Sequence, residues 1–311
     1  MSFLPAMNKI NRCVKIYHFH SFYKYSKLLG KRSIEARNMG FYMNITDTSD
    51  TEMATGNLRP AITHVCQVIE LTPLNSNTFQ VELKSTTAAA LNYQAGQYLQ
   101  LELDVNNDGH RQFLSYSIAN RFDHEHPRRL QLFIQNSSEF ADKILKTLAE
   151  LASKKRPVKV RMPMGQAFLQ TDLSLPHVMI AAGSGISKIK CLTEELLRRQ
   201  PDADVKVYWS NRKVGDFYLL DQFQDWVNQN NNLNFTPILE SAEANWSGRS
   251  GYIYKVIEED FEDLDGTQVY LCGSPRMVYG TIVQLKASGL KEKDCYSDVF
   301  EYAPQEQNIV L

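Results

Sequence analysis

Residues 176–197, PHVMIAAGSGISKIKCLTEELL, and residues 267–285, TQVYLCGSPRMVYGTIVQL, decide the fold. Each stretch passes from an apolar run through a small-residue turn into a helix-period segment. The turns are Gly183-Ser184-Gly185 and Cys272-Gly273-Ser274-Pro275. Open α/β sheets use such junctions to bring backbone N–H groups against a phosphate or a flat ring. Gly183 and Gly185 permit a tight turn and close backbone approach, and the helix that follows favours an anion at its N-terminus. A lone G-x-G also serves plain strand–helix packing, so the turn alone does not fix its own use.

Working outward, the second half alternates strands and helices. Strands are expected at 177–182, 204–210, 234–239, 268–272 and 295–300, and helices at 186–199, 218–230, 250–260 and 275–288. That alternation implies a parallel sheet with right-handed crossovers. Upstream the period changes to two: THVCQVIEL, NTFQVELKS, QYLQLELDV, FLSYSIAN and RLQLFIQN alternate apolar and polar residues. Residues 139–153 read as an amphipathic helix with Phe140, Ile144, Leu148 and Leu151 on one face. PVKVRMPMGQAFL is expected to close a barrel, and LQTDLSLPH reads as a hinge. The expected fold class is an N-terminal antiparallel β-barrel followed by a C-terminal parallel-sheet α/β domain. The expected boundaries are a leader and linker over 1–60, the barrel over 61–173 and the α/β domain over 174–311.

Charge is distributed unevenly. Residues 1–40 hold eight of the 34 basic residues and one of the 35 acids, leaving 26 against 34, a net of −8, for the rest of the chain. This basic, aromatic-rich leader lacks the apolar core of a secretory signal. It reads as a disordered extension, a transit or membrane-surface segment, or a start assigned too early, with Met39, Met43 and Met53 as later candidates. No apolar run approaches the roughly 20 residues that cross a bilayer, and a cytoplasmic location is the simplest expectation. Cys13, Cys66, Cys191, Cys272 and Cys295 form no C-x-x-C pair, so disulfide frameworks, zinc sites and plant-type iron–sulfur clusters have no support in the spacing. His64, His110, His124, His126 and His177 read as surface or turn residues.

Seven segments, taken in order, resemble the ferredoxin–NADP reductase superfamily, and within it the bacterial NAD(P)H–flavin reductases, including those that feed luciferase. They are AGQYL (95–99), SYSIAN (115–120), MGQAFL (164–169), AAGSG (181–185), YWSNR (208–212), VYLCGSPRMV (269–278) and YSDVFEYAP (296–304). The resemblance runs from Ile62 to Tyr302 and leaves the leader without a counterpart. It implies a flavin-binding barrel, an NAD(P)H-binding α/β domain, and hydride transfer from the nicotinamide to FAD, FMN or riboflavin.

Residue by residue, the resemblance implies the following roles. Tyr116 and Ser117 hold the last two positions of an R-x-[FY]-[ST] strand that lines the flavin, with the serine hydroxyl placed to reach N5. Leu114 stands where that pattern has an arginine for the flavin phosphate, which favours a flavin bound loosely, as a substrate. Arg111 is a poor substitute, three residues upstream on the opposite strand face. Ser137 or Ser138 either meets flavin phosphate or ribose or simply caps the next helix. Gly183, Ser184 and Gly185 cradle the nicotinamide nucleotide, and Lys188 stands where the family often has proline or an aromatic residue. Arg212 meets the adenosine ribose or a 2′-phosphate, or is a solvated surface residue. Cys272, Gly273, Ser274 and Pro275 shape the nicotinamide pocket, and Phe300 or Tyr302 shields one of the rings. Ser117 and Cys272 are therefore the candidate catalytic pair, in a reaction that needs no protein nucleophile.

Three other readings stay open at this stage. The chain could serve a separate iron–sulfur or oxygenase partner, which needs a firmly held flavin. It could be a non-catalytic reductase-like scaffold that binds a nucleotide or a protein. It could also be a membrane-surface version of the flavin reductase, docked by its basic leader.

Overall fold

The computed structural model describes residues 60–305, all within the compact unit Gly56–Leu311. The expectations for the leader lie outside the described residues. Among the described residues, twelve strands form two six-stranded sheets.

The first sheet is antiparallel, in the order β4-β3-β6-β1-β2-β5. Its strands are β1 (Ile62–Pro73), β2 (Thr78–Ser85), β3 (Tyr98–Leu103), β4 (Gln112–Ser117), β5 (Arg129–Gln135) and β6 (Pro157–Met164). Helix α1 (Glu139–Ser153) buries Ile144, Leu145 and Leu148, the face its 3.6-residue period predicts. Closure falls elsewhere than expected. β6 lies inside the sheet between β3 and β1, and the edges that approach are β4 and β5. Two bonds link the exit of β4 to the start of β5: Ala119 N–H donates to Gln131 O at 2.8 Å, and Gln131 N–H donates to Asn120 Oδ1 at 2.7 Å. Period-two alternation reveals that a strand has two faces, but not which strands become its neighbours.

The second sheet is parallel, in the order β10-β9-β8-β7-β11-β12. It comprises β7 (His177–Ala182), β8 (Val205–Asn211), β9 (Leu233–Leu239), β10 (Arg249–Ser250), β11 (Gln268–Cys272) and β12 (Cys295–Tyr296). Its helices are α2 (Ile186–Arg199), α3 (Leu220–Gln229), α4 (Ile253–Asp260) and α5 (Pro275–Leu285). The expected strand at 295–300 is shortened to two residues. The Ser297 hydroxyl accepts from the Val299 amide at 3.3 Å, and the chain turns into the short helix α6 (Val299–Tyr302). Helix α5 ends at Leu285 and tightens into a 3₁₀ turn stopped by Gly289 at φ +81°.

Met179, Ala181 and Trp209 of this sheet join the barrel's Leu99, Leu101 and Leu132 in one hydrophobic cluster, together with the buried face of α2. The opposite face of the parallel sheet has its own cluster under α4 and α5. The barrel therefore packs on the α2 side. The supposed hinge is also tied down. Gln170 N–H donates to Tyr270 Oη at 2.9 Å, and Gln268 Nε2 donates to Asp172 O at 2.7 Å. His177, expected at the surface, is 1% exposed and lies 6.3 Å from the Tyr270 ring, stacked on it. An apolar strand start hides a histidine when the neighbouring strand offers an aromatic ring to cover it.

Candidate functional site

Strand order locates the site. From β7 the chain moves outward through β8, β9 and β10, then returns to place β11 on the other side of β7. Brackets of this kind open a crevice at the carboxyl ends of the two central strands. Those ends are Ala182, leading into Gly183, and Cys272, leading into Gly273; Cys272 pairs with Ala181. The two glycine turns are thus neighbours in space. A methyl group on Gly185 would drive into the Cys272 carbonyl, so only glycine lets these backbones meet. Gly183 holds φ +55° and its carbonyl accepts from Trp209 Nε1 at 2.9 Å. No side chain caps α2 at Gly185, whereas the Ser274 hydroxyl caps α5 by accepting from Met277 N–H at 3.3 Å, with Pro275 in the first turn.

A buried ion pair lies over this rim. Lys188 Nζ stands 2.7 Å from Asp298 Oδ1, with the lysine side chain 2% exposed. Neither atom makes a well-directed hydrogen bond, so the attraction is between charges. Burial pushes the Cys272 thiol up to about 12; Lys188 pulls it down and Asp298 raises it, both less strongly. Cys272 is therefore a neutral thiol at physiological pH. Sequence alone offered it no basic neighbour, and the fold supplies one that does not outweigh desolvation. The Tyr302 phenol is raised by burial first, then by Cys272, Asp298 and Tyr279. The C-terminal segment is pinned at three points: Asp298 by Lys188, Glu301 Oε1 by the Gln166 amide at 2.6 Å, and Ala303 O by the Tyr279 hydroxyl at 2.9 Å. Phe300 is half-buried and leans on Tyr279, ring centroids 5.8 Å apart.

The barrel reaches the rim through Tyr98. In the β3–β4 register Tyr98 lies opposite Ser117, and directly opposed residues of an antiparallel pair point to one side. Gly165 closes the space between this wall and the C-terminal segment. A methyl group there would sit 2.8 Å from the Tyr98 ring and 3.1 Å from Asp298 Oδ1. The Tyr98 phenol is pushed up to about 12 by burial, then by Glu301 and Asp298, with Arg161 opposing. A continuous path thus runs from Ser117 through Tyr98 and Asp298 to Lys188 and Cys272.

Tyr116 and Leu114 take the other strand face. They lie opposite Leu99 and Leu101, both fully buried, and pack partly buried against the core. Tyr116's phenol is raised well above its ordinary range by that burial. Arg111 is held by Glu102 at 3.0 Å. Ser138 caps α1, its hydroxyl accepting from Ala141 N–H at 3.1 Å. Arg212 is 82% exposed and meets Glu240 at 3.3 Å. Cavities of about 110 and 200 Å³ open beside His126 and Arg129, and neither is lined by Ser117 or Cys272. Sequence reasoning missed Tyr98, Gly165 and Asp298 as a group. Their signal was parity: Tyr98 opposes the serine of SYSIAN only once the register is known.

A family model described as an oxidoreductase NAD-binding domain matches residues 179–282. The chain is similar to the NAD(P)H-flavin reductase of Vibrio harveyi, 24% identical over 209 residues, covering 67% of this chain and 85% of that one. It is also similar to the CDP-6-deoxy-L-threo-D-glycero-4-hexulose-3-dehydrase reductase of Yersinia pestis, 26% identical over 258 residues, 81% and 74% of the two chains. Among solved structures, the cytochrome P450 reductase GcoB of Amycolatopsis superposes with a TM-score of 0.65 at 24% identity, covering 79% of this chain and 72% of that one. Sheets, switch point and relatives agree: this is an oxidoreductase. In sequence and in fold it is similar to proteins of the ferredoxin–NADP reductase superfamily, the flavin reductases among them.

Proposed function

We propose that the protein is an NAD(P)H-dependent flavin reductase, with a flavin half over 61–173 and a nucleotide half over 174–311. The observation that carries the reading is the path from Ser117 through Tyr98 and Asp298 to Cys272, which joins the barrel wall to the glycine-lined switch point. The residues present suit a nicotinamide nucleotide. Gly183 and Gly185 offer backbone without side chains, and the α2 N-terminus has no side-chain cap competing for an anionic phosphate. The flavin side suits looser binding. Ser117 offers a hydroxyl, while Leu114 packs toward the core and offers a phosphate no guanidinium. When both ligands are bound, two electrons and one proton pass as hydride from C4 of the dihydronicotinamide to N5 of the flavin, and water supplies the second proton. The chain's own part is to hold flat rings together and exclude water. Cys272, kept neutral by burial, lines the nicotinamide position without attacking it. Gly273 lets Met277 and Ala182 close under the rim, and Tyr302 and Phe300 cover that side.

A second reading, a reductase component passing electrons to a protein partner, is favoured by the Yersinia pestis relative and the Amycolatopsis neighbour, whose names describe such reductases. Purification followed by NADH and NADPH oxidation assays separates the two. Colourless protein that oxidises NAD(P)H only with added FMN, FAD or riboflavin supports the flavin reductase. Yellow protein without free-flavin turnover supports the partner-dependent role. No oxidation with any flavin ends both. Among the described residues no helix is long and apolar enough to cross a membrane.

A further inference from the structure

One side-chain pair of α2 grips the chain as it leaves the Ser117 strand. Lys190 Nζ donates to Ala119 O at 3.2 Å and to Glu194 Oε1 at 2.6 Å. The other oxygen, Glu194 Oε2, accepts from the Arg121 amide at 3.1 Å. Between them, Cys191 Sγ donates to Asn120 O at 3.0 Å, and the Tyr93 hydroxyl donates to the same carbonyl at 2.9 Å. Lysine and glutamate are 6% and 19% exposed. This is costly: two ionised side chains leave water to satisfy one carbonyl and one amide, work that neutral groups could do. Elsewhere α2 meets the barrel through apolar contact, such as Leu192 against Gly96.

The placement gives the expense a purpose. Along α2, Lys190 lies five residues from Gly185, about 7.5 Å at the helical rise. Along the barrel strand, Ala119 lies two residues past Ser117, roughly 7 Å of extended chain. The clamp therefore ties the end of the Ser117 strand to the helix that begins at the glycine turn. We propose that Lys190 and Glu194 are positioning residues that set the spacing between the flavin-side wall and the nicotinamide-side turn. This rests on the flavin reductase reading. Neither residue touches a reacting atom. Each acts on backbone: the lysine on Ala119, the glutamate on Arg121. A lone hydrophobic contact would hold the two halves together but leave them free to slide, whereas a carbonyl and an amide gripped from one helix turn fix both translation and direction.

The test compares wild type with Lys190→Met, Lys190→Arg and the neutral pair Lys190→Gln/Glu194→Gln. Hydrogen exchange of the protein without added ligands is measured first. Lys190→Met is expected to speed exchange at 118–121 while β7 and the glycine turns keep their protection. FMN and NADH affinities, measured separately, are expected to stay within about twofold. Hydride transfer in single turnover is expected to fall by roughly 10- to 100-fold, the scale of an ångström of misplacement. The long-wavelength charge-transfer absorbance of FMN and nicotinamide bound together is expected to fade, and Lys190→Arg to restore it. Unchanged transfer and absorbance in Lys190→Met overturn the proposal. So does parallel weakening of both single-ligand affinities, which describes a merely structural role. If Lys190→Met does not fold, the neutral pair decides: wild-type transfer in a folded pair overturns, and a selective loss supports. A wild type that fails to oxidise NADH or NADPH with any flavin refutes the reductase reading itself, and is recognised before any variant is compared.

Discussion

The two walls of the proposed cleft are built on different physical rules. The nicotinamide side is made of backbone. Its turns meet because Gly185 has no Cβ to strike the Cys272 carbonyl, and its position follows from the strand reversal between β7 and β11. The flavin side is made of side chains on a strand, where every role depends on parity. One residue separates Ser117, which shares a face with Tyr98, from Tyr116, which shares a face with the buried Leu99. A backbone site tolerates change nowhere at the turn and widely around it. A strand site tolerates change on one face and not the other.

The sharpest way to break this contrast is Gly185→Ala. The added methyl meets main-chain atoms of Cys272, which cannot rotate away as a flexible side chain could. A cost of about 3 kcal/mol is expected, at the upper end for overpacking, and thermal unfolding should show a fall of roughly 6–12 °C. A wild-type melting temperature would mean that the two turns do not touch in solution.

Next comes Asp298→Asn. It leaves Lys188 buried beside Cys272 with no countercharge, a loss at the low end of the roughly 3–5 kcal/mol of a broken buried pair because the amide oxygen that replaces the carboxylate still faces the ammonium. Its effect is expected just below that of Gly185→Ala for this reason. The double variant Lys188→Met/Asp298→Leu should recover most of the stability in urea unfolding, because an apolar pair of similar volume needs no partner. Failure of the double variant to recover would show that Asp298 holds the C-terminal segment through something other than charge.

Leu114→Arg tests the flavin side. By motif alone the arginine should tighten flavin binding. By register it points toward Leu101 and the core. We expect no gain in FMN affinity and a stability loss of about 2 kcal/mol, the cost of forcing a charge against apolar surroundings. Tighter FMN binding with unchanged stability would return Leu114 to the ligand face. This residue also marks the limit of sequence reading. Strands 177–182 and 268–272 and helices 139–153 and 186–199 were legible because their apolar periods are long and their ends are punctuated by glycine, proline or serine. The glycine rim was legible because glycine is there for a backbone reason. The strand neighbours in the barrel, the core side of Tyr116, the burial of His177 and the Lys188–Asp298 pair were not. Each is decided by which distant segment lies opposite, and periodicity carries no information about that.

A smaller effect is expected at the far end of the parallel sheet. Burial holds His177 down at about 4, against 6.5 when unfolded. The folded protein thus resists the proton that the unfolded chain accepts. Stability contributed by neutral His177 is present in full above pH 6.5 and is lost as the pH falls from there to about 4. His177→Phe keeps a ring against Tyr270 and should flatten that part of the profile of unfolding free energy against pH. An unchanged slope would assign the acid loss to other groups.

Arg212 sets the lower bound. It is exposed, and its pair with Glu240 is long and solvated, so Arg212→Ala should change stability by less than about 1 kcal/mol. Its value lies in what it separates. A guanidinium at the end of β8 can meet a ribose 2′-phosphate without any buried scaffold, because a doubly charged phosphate attracts it even through solvent. If it serves that role, Arg212→Ala raises KM for NADPH several-fold and leaves KM for NADH alone, with kcat unchanged for both. If it is surface charge, the ratio of the two KM values does not move. A fall in kcat with both nucleotides would contradict either account, since it would require a residue at this exposed strand end to reach the rim where Ser117 and Cys272 converge.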